Sequence, residues 1–364
     1  MFIGLVVIHE WGHFIAARRG GVEVEEFGIG FPPKMWGKKI KTAKSKFVFT
    51  INLLPLGGFV RLKGEHDADT REGSFGAAPT KTKVKIMTAG VLMNLLTAYV
   101  LFLILALIGM PKLVDNQFII ASDAKLVQTV QNQDVVLIES VDQNTPASRA
   151  GIQAGDEVVS IAGTEINKTE QVGEATKANA GKEVPILIKR GDLIYDYKVT
   201  LNAENTGNGF LGVTSKSGAS GRDVYRSTWS APIVAAGITI QFTELTFKGI
   251  WTAISSLAVG DTKTASEQVA GPVGIGYVLN EVCKSGFLFV LMVIAIISLT
   301  LAIMNILPIP ALDGGRLFVM LLFKALKKPL TKEREDIIHG TGFVVLMGLF
   351  VLITIVDVNR FILK

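Results

Sequence analysis

Cysteine is almost absent from this chain, which has 364 residues and one cysteine, Cys283. A single cysteine excludes an intrachain disulfide framework and any zinc site built on cysteine thiolates. Charged residues are also scarce, at 19% against about a quarter in soluble globular proteins. The net charge of +5 is modest and we find no basic helix, so we expect no nucleic-acid partner.

Long apolar runs explain why charged residues are scarce in this chain. Residues 86–108 and 287–307 each supply the roughly 20 apolar residues that a membrane-spanning helix needs. A third run, 342–356, reaches that length when it is extended back to Ile337, and a shorter run covers residues 1–17. We therefore expect a polytopic α-helical membrane protein with about four transmembrane helices. A signal peptide fits the first run poorly, because its arginines follow the apolar stretch.

Basic residues near these runs predict the orientation of the helices, because lysine and arginine concentrate in cytoplasmic loops. Basic residues follow the run 1–17, precede the run 86–108, and lie between the runs 287–307 and 342–356: Arg18, Arg19, Lys81, Lys83, Lys85, Lys324, Lys327, Lys328, Lys332 and Arg334. Both loops are predicted to be cytoplasmic. The long segment between the second and third spans is then extracytoplasmic.

The chain divides into four predicted parts. Residues 1–110 form a first membrane half, 116–216 a separate extracytoplasmic domain, 217–285 an amphipathic connector, and 286–364 a second membrane half. Within the first half, alternating apolar and polar residues around 46–52 predict a strand. Neighbouring strand-like stretches extend this into a small membrane-associated β-sheet.

The first apolar run contains His9-Glu10-Trp11-Gly12-His13, which has the spacing H-E-x-x-H. Residues four apart share one face of a helix, so both imidazoles can reach one metal ion, with Glu10 beside them as a base for a metal-activated water. Ionisable groups in an apolar helix are costly and mark function. A metal ion is a direct partner for all three groups.

A catalytic zinc ion usually has three protein ligands, which leaves a third to be found. Asp313 is the candidate, because Pro308 and Pro310 end the preceding helix and Gly314-Gly315 permits a tight turn. The alternative is an ordinary capping aspartate at a junction between a loop and a helix. His66 and His339 are predicted to be solvated or interfacial instead of metal ligands.

The two motifs resemble the site-2 protease family of intramembrane zinc metalloproteases, in the bacterial branch typified by the regulator of sigma-E protease. The segment 9–14 resembles the zinc helix of the family, and 305–314 resembles its N-x-x-P-x-P-x-L-D-G segment. The segment 54–60 is similar to the β-loop that holds substrate, and Ala89-Gly90 with Asn94 to the start of the second helix. Trp11 and Val91 depart from the usual pattern without removing a ligand.

This resemblance implies roles for individual residues. It implies Zn²⁺ on His9, His13 and Asp313, and Glu10 as the catalytic base. It further implies substrate contacts from Gly57 and Gly58 of the β-loop, Asn94 of the second helix, and Pro308 and Pro310 of the segment 305–314, with Asn305 near the substrate or the oxyanion.

The segment 145–161 resembles the S-P-A-x-x-A-G-L-x-x-G-D signature of the PDZ domains in this family, and Thr145-Pro146 is typical of a helix start. PDZ domains bind peptides as an added strand. A single such domain is expected, either for recognition of a peptide or as a filter against bulky substrates. The alternative is a rigid spacer without a ligand.

The predicted function is zinc-dependent cleavage of single-span membrane proteins, in the bacterial cytoplasmic membrane and near its cytoplasmic side. The resemblance suggests anti-sigma factors or signal-peptide remnants as substrates. Two other functions remain: a membrane scaffold or transporter with a recruiting domain and without catalytic metal, and an anchored protease whose site lies wholly in water. Measuring the zinc content distinguishes the scaffold or transporter from the protease. Measuring the depth of His9 in lipid distinguishes the anchored protease from the intramembrane one.

Overall fold

The structure is a computed structural model that describes residues 2–42, 45–114, 116–190, 193–205, 209–261, 264, 266, 271–284 and 286–361. The chain forms two compact units. The first comprises Met1–Lys125 and Tyr225–Lys364, and the second comprises Leu126–Val224. The domain boundaries expected from the sequence remain predictions.

Helices dominate the first unit. They are α1 (Phe2–Arg19), α2 (Thr80–Ile108), α5 (Ala231–Ala258), α6 (Pro272–Lys284), α7 (Phe287–Ile306), α8 (Asp313–Ala325) and α9 (Lys332–Phe361). Among the described residues, α2, α7 and α9 are long and apolar enough to cross a membrane. The 18-residue helix α1 is not among them. The protein is thus a polytopic α-helical membrane protein, as predicted.

The core of the first unit lies where α2, α5 and α7 pack together. Phe102 of α2 stacks on Phe242 of α5, with ring centroids 6.1 Å apart, and Met292 of α7 is fully buried beside them. The segment before α5 is fixed by Asp123, which accepts hydrogen bonds from the backbone N–H and hydroxyl groups of Thr228 and Ser230. Burial by itself would raise the pKa of Asp123, but these hydrogen bonds hold it well below its usual range.

A small β-sheet follows α1, formed by β1 (Val24–Thr42) and β2 (Ser45–Leu62). Bulges in the register fold the two strands so that 24–29 pairs with 58–62 on one side and with 48–51 on the other. The segment 34–42 then pairs with 45–52. Within the described chain, 58–62 and 34–42 are therefore the two outer segments of the sheet.

Aromatic side chains hold this sheet against α1. Phe14 is buried between Phe27 and Phe47, with ring centroids 5.6 and 5.0 Å away. Residues paired directly across strands share one face of a sheet, so this face also presents Phe49, which is paired with Phe27. The packing fixes the sheet beside the helix that carries the H-E-x-x-H spacing.

Polar contacts fix the loop between this sheet and α2. Lys83, expected only as a topology signal, is buried and forms an ion pair with Asp67. The backbone N–H of Asp67 also donates to Glu335 of α9, at 2.9 Å. The loop is therefore tied to both membrane halves of the first unit.

The second unit is a sheet with two short helices. Its elements are β4 (Lys125–Val141), α3 (Pro146–Ala150), β5 (Glu157–Ile161), β6 (Thr164–Glu165), α4 (Thr169–Ala178), β7 (Glu183–Arg190), β8 (Leu193–Thr200) and β9 (Val213–Arg226), with a two-residue β3 (Met110–Pro111) earlier in the chain. The strand order is β9-β4-β5-β7-β8, with β6 paired to β5. The sequence has strand-like runs at 135–141, 157–161, 185–189 and 195–201, and each of them overlaps one of these strands.

The turn before β5 has a buried charge pair. Asp156 is 1% exposed and accepts hydrogen bonds from Nε and Nη2 of Arg190, at 2.6 and 2.7 Å, and from the backbone N–H of Gln153. The predicted start of α3 is also confirmed, because the Thr145 hydroxyl caps it and Pro146 is its first residue. We call this unit the PDZ-like domain.

Candidate metal centre

The helix α1 buries both histidines of the H-E-x-x-H spacing. His9 and His13 are 7% and 9% exposed, and their Nε2 atoms lie 3.1 Å apart. The sequence forms a helix here because the run 2–19 is apolar without proline. One helical turn separates the two residues, so their rings meet on the same face.

Asp313 reaches this face from the other end of the chain. Its Oδ2 lies 2.9 Å from Nε2 of His9 and 3.1 Å from Nε2 of His13. It is the first residue of α8, after a break in which Ala311 has a positive φ of 79°. The prolines predicted to end α7 do so: the helix stops at Ile306.

The two glycines after Asp313 are required by close backbone packing. A Cβ on Gly314 would lie 2.6 Å from the carbonyl oxygen of Leu307, and one on Gly315 would lie 2.7 Å from the nitrogen of Pro310. The first turn of α8 is thus pressed against the segment that leaves α7. This contact aims Asp313 at α1.

The three donor atoms suit a zinc ion. Two imidazole nitrogens and a carboxylate oxygen are a usual catalytic set, and a tetrahedral ion with bonds of about 2.0–2.1 Å places its ligands about 3.3 Å apart. The observed separations of 2.9–3.1 Å are close to that value. Among the described residues, this is the only group of three such side chains that converges in this way.

Contacts behind the histidines set the direction of the metal-facing nitrogens. Nδ1 of His13 lies 2.7 Å from the carbonyl oxygen of Ile86 and donates to it, which leaves Nε2 with a free lone pair. Nδ1 of His9 lies 3.4 Å from the side-chain amide of Asn94, which is 1% exposed.

The amide of Asn94 has one atom without a partner. As assigned, its nitrogen faces His9, while its oxygen is buried with no hydrogen-bond partner among the described residues. The oxygen and nitrogen of an asparagine amide are interchangeable in assignment. With the oxygen toward His9, it accepts the Nδ1–H and the His9 Nε2 lone pair faces Asp313. That arrangement matches metal ligation.

The helix α2 approaches the centre at a glycine. A Cβ on Gly90 would lie 2.6 Å from Cε1 and from Nε2 of His9. Gly12 on α1 has a similar role, since its Cβ would lie 2.5 Å from the carbonyl oxygen of Ala89. In the sequence Gly90 stands out only through its resemblance to the family pattern, which does not predict this contact.

A cavity of about 120 Å³ adjoins the centre. It is lined by Glu10, His13 and Asp313, with Glu65 and Arg316 among the other lining residues. The volume exceeds the roughly 10–15 Å³ that one water molecule requires. Glu65 and Arg316 were not predicted, although Arg316 directly follows the Asp313-Gly-Gly turn in the sequence.

The predicted substrate residues fall into two groups. Gly58 lies beside the site, because its Cβ would be 3.5 Å from Cγ of Glu10, and Gly57 adjoins it with a positive φ of 124°. None of the six lines the cavity itself. Of the other four, Asn94 lies against His9, whereas Asn305, Pro308 and Pro310 lie at or just after the end of α7. Their contacts with substrate remain predictions.

The two remaining histidines of the chain lie elsewhere. Nδ1 of His66 is 3.8 Å from Glu335 and 3.7 Å from Asp336, and Nδ1 of His339 accepts from the backbone N–H of Ala311 at 3.3 Å. Neither belongs to the converging group.

The sequence profile described as peptidase family M50 matches residues 1–349. The chain belongs to peptidase family M50. A Clostridium perfringens protein named as a zinc metalloprotease is 30% identical over 359 residues, which cover 98% of this chain and 96% of that protein. Two relatives named RasP share 28% and 27% identity over 441 residues: the regulator of sigma-W protease of Bacillus subtilis and the zinc metalloprotease of Bacillus licheniformis. In each case 99% of this chain and 97% of the relative are covered.

Two solved structures also resemble part of this M50 peptidase. The PDZ domain of an SdrC-like protein from Listeria monocytogenes is 24% identical with a TM-score of 0.20, covering 25% of this chain and 92% of that one. The protein GtR34C from Geobacillus thermodenitrificans is 28% identical with a TM-score of 0.18, covering 20% and 82%.

Family membership confirms the predicted site-2 protease resemblance, the enzyme class and the metal. The M50 peptidase is a zinc metalloprotease, and its cofactor is Zn²⁺. A scaffold or transporter without catalytic metal does not agree with this membership. The family supports intramembrane proteolysis generally, with membrane proteins as substrates.

Proposed function

We propose that this protease cuts single-span membrane proteins near or within the bilayer, at a zinc ion held by His9, His13 and Asp313. The observation that carries the proposal is the convergence of three ligand atoms from α1 and α8, with His13 and Asp313 separated by 300 residues. Burying two imidazoles and a carboxylate together is costly without a partner for all three. A metal ion is that partner.

The chemistry that bound Zn²⁺ supplies is Lewis acidity, which polarises a carbonyl and lowers the pKa of water. Glu10 lines the same cavity as His13 and Asp313. In the proposed mechanism its carboxylate accepts a proton from the attacking water and then donates it to the leaving amine. Asn94 and the Ile86 carbonyl orient the two imidazoles.

A transmembrane substrate must unwind before cleavage, because a helix keeps its carbonyl groups in internal hydrogen bonds. Among the described residues no strand pairs with the outer side of segment 58–62, so an unwound stretch could add there once Leu62 releases the Glu65 carboxylate, to which its backbone N–H donates. The first residue of this segment, Gly58, lies beside Glu10. Strand addition here would bring the scissile bond to the cavity.

The substrate class and the orientation follow from the relatives and the basic loops. One relative is named as a regulator of sigma-W, which supports anti-sigma factors among the substrates. The basic residues support a proposed site near the cytoplasmic side of a bacterial inner membrane and a proposed extracytoplasmic location of the PDZ-like domain. There the domain would bind a peptide or exclude bulky substrates, and a rigid spacer is the alternative.

Zinc content and cleavage, measured on the same preparations, test the proposal. We expect one zinc per chain in wild type and in Glu10→Gln, cleavage of a single-span test protein by wild type only, and loss of zinc in Asp313→Asn. His66→Gln is the matched control, because it removes an imidazole outside the centre and keeps zinc and activity. Full zinc in Asp313→Asn, or cleavage by Glu10→Gln, would contradict the assignment.

The alternative of an anchored protease with its site wholly in water needs a separate measurement. Spin labels placed near His9, for example at Gly4 and Ile8, report their depth in a bilayer. The depth follows from how strongly lipid-soluble and water-soluble paramagnetic reagents enhance the relaxation of each label. The proposal expects both labels within the lipid region. Full exposure to the water-soluble reagent would favour the alternative.

A further inference from the structure

The sheet beside α1 carries a concentration of positive charge that the proteolytic site does not use. Between Glu26 and Glu65 the sequence has seven lysines, one arginine and no acidic residue. Six of these lysines fall within residues 34–46. Such a cluster next to a membrane helix is typical of segments that bind anionic lipid.

Five of these six lysines lie on the outer segment 34–42 or at the start of the segment 45–52 that pairs with it. We call the five described ones the basic edge: Lys34, Lys38, Lys39, Lys41 and Lys46. Lys44 lies outside the described residues. All five are exposed, and none forms an ion pair with another residue in the described ranges. Lys41 lies directly opposite Lys46, a like-charge pair that destabilises a sheet unless an anion neutralises it.

Large apolar side chains adjoin the basic edge. Met35 is 67% exposed and Trp36 is 50% exposed, within the same outer segment. Trp36 pairs with Ile51, and the neighbouring Leu53 is 53% exposed. Exposed tryptophan and methionine beside lysines are the composition of elements that lie at a bilayer surface, with apolar side chains at the acyl boundary and charges at the headgroups.

We propose that the basic edge binds the anionic phospholipid headgroups of the leaflet nearest to it, while Met35 and Trp36 enter the acyl boundary. The sheet follows α1 directly, so a membrane is always within reach of it. The basic loops predict that this is the cytoplasmic leaflet, whose surface is negative. This interaction does not depend on the zinc ligands.

Lysine on an outer strand has another known use, which is to prevent sheets from joining edge to edge. That use accounts for charge on the outer segment 34–42. It does not account for Lys46 on the inner strand, nor for the exposed Met35 and Trp36. Binding to an anionic surface accounts for all of them.

Fluorescence of a single label in the full chain tests the proposal. The chain carries Cys283→Ser and Met35→Cys, is labelled with an environment-sensitive fluorophore, and is reconstituted into vesicles of phosphatidylcholine alone or mixed with phosphatidylglycerol. We expect phosphatidylglycerol to shift the emission to the blue and to reduce quenching by acrylamide. Salt should reverse both changes, because it screens the charges.

The variant Lys39→Gln/Lys41→Gln/Lys46→Gln should lose this response. Each lysine near an anionic surface contributes about fivefold to the equilibrium, so three together contribute on the order of 100-fold at low salt. The control Lys168→Gln/Lys177→Gln/Lys182→Gln removes the same charge from the PDZ-like domain and should respond as the parent does. The proposal is overturned if the emission and the acrylamide quenching of the parent do not change with phosphatidylglycerol and salt, or if the edge variant shows the same changes as the parent. Self-association of the edge variant with an unchanged lipid response would assign the lysines to edge protection.

Discussion

The variant Gly90→Ala tests whether the close approach of α2 shapes the metal centre. A methyl group at this position would lie 2.6 Å from Cε1 and Nε2 of His9, and closer still to His13. Carbon atoms in ordinary contact are about 3.5–4.0 Å apart. The imidazoles or the helix must therefore move by about 1 Å.

A movement of that size is large for a metal site. Ligand distances in a well-formed site hold to about ±0.2 Å, and loss of a single contact behind a ligand already lowers affinity about 10–100-fold. Displacing both imidazoles should cost more, so we expect zinc affinity to fall by at least about 100-fold. Protein folding should change less, because α2 is fixed along its length by α5 and α7.

Competition with a chromogenic chelator measures the zinc affinity of the detergent-purified protein. Gly4→Ala is the control: it adds the same methyl group within α1, where nothing lies within 4 Å of the new atom. Thermal unfolding separates loss of metal from loss of fold. Wild-type zinc affinity in Gly90→Ala would refute the argument that α2 packs against the ligands.

Three further predictions concern groups other than Glu10. Asn94→Leu should lower zinc affinity about 10–100-fold, whereas Asn94→Asp should keep it, because a carboxylate also accepts a hydrogen bond from His9. Competition with the chelator measures both affinities. Wild-type zinc affinity in Asn94→Leu would leave Asn94 with only its predicted contact with substrate. Asp156→Ala should destabilise the PDZ-like domain by about 2–3 kcal/mol, because Arg190 loses its charged partner. Amide hydrogen exchange should become faster in this domain before it does in the rest of the chain. Exchange rates in the domain equal to those of wild type would contradict this prediction. Folding lowers the pKa of Asp123, so its stabilising effect is present above the unfolded pKa of about 3.9 and is lost as pH falls through the lower folded pKa. The variant Asp123→Asn should therefore lose less thermal stability than wild type on acidification. A melting temperature that falls with pH in parallel in both proteins would argue against this role.

The sequence predicted the parts of the site that local rules determine. The spacing of His9 and His13 on an apolar helix required only helical periodicity and the cost of burying ionisable groups. Pro308 and Pro310 predicted the end of α7, and Gly314 predicted a tight turn. The meeting of Asp313 with the two histidines was inferred by pairing two incomplete motifs, and the structure brings them within 3.1 Å.

Other features depend on tertiary packing and had no local signal. The folding of β1 and β2 into four paired segments arises from bulges, which alternation of apolar and polar residues does not encode. Lys83 was counted among the basic residues that predict a cytoplasmic loop, and in the structure it also forms a buried ion pair with Asp67. The amphipathic pattern of residues 217–285 left open whether they lie along the membrane surface or pack on the helices, and in the structure α5 contributes fully buried side chains such as Ile238 to the helical core.

The position of the metal centre explains why the two membrane halves must act together. In the proposed centre helix α1 supplies two ligands, which is fewer than the three that a catalytic zinc ion usually takes from protein. The proposed third ligand, Asp313, is the first residue of α8, and Gly314 and Gly315 allow the first turn of α8 to pack against the segment that leaves α7. Zinc binding therefore requires both halves to be packed, and by linkage the bound ion stabilises that packing. Since Glu10 lies on the same helix as two ligands, assembly of the halves and assembly of the catalytic site are one event.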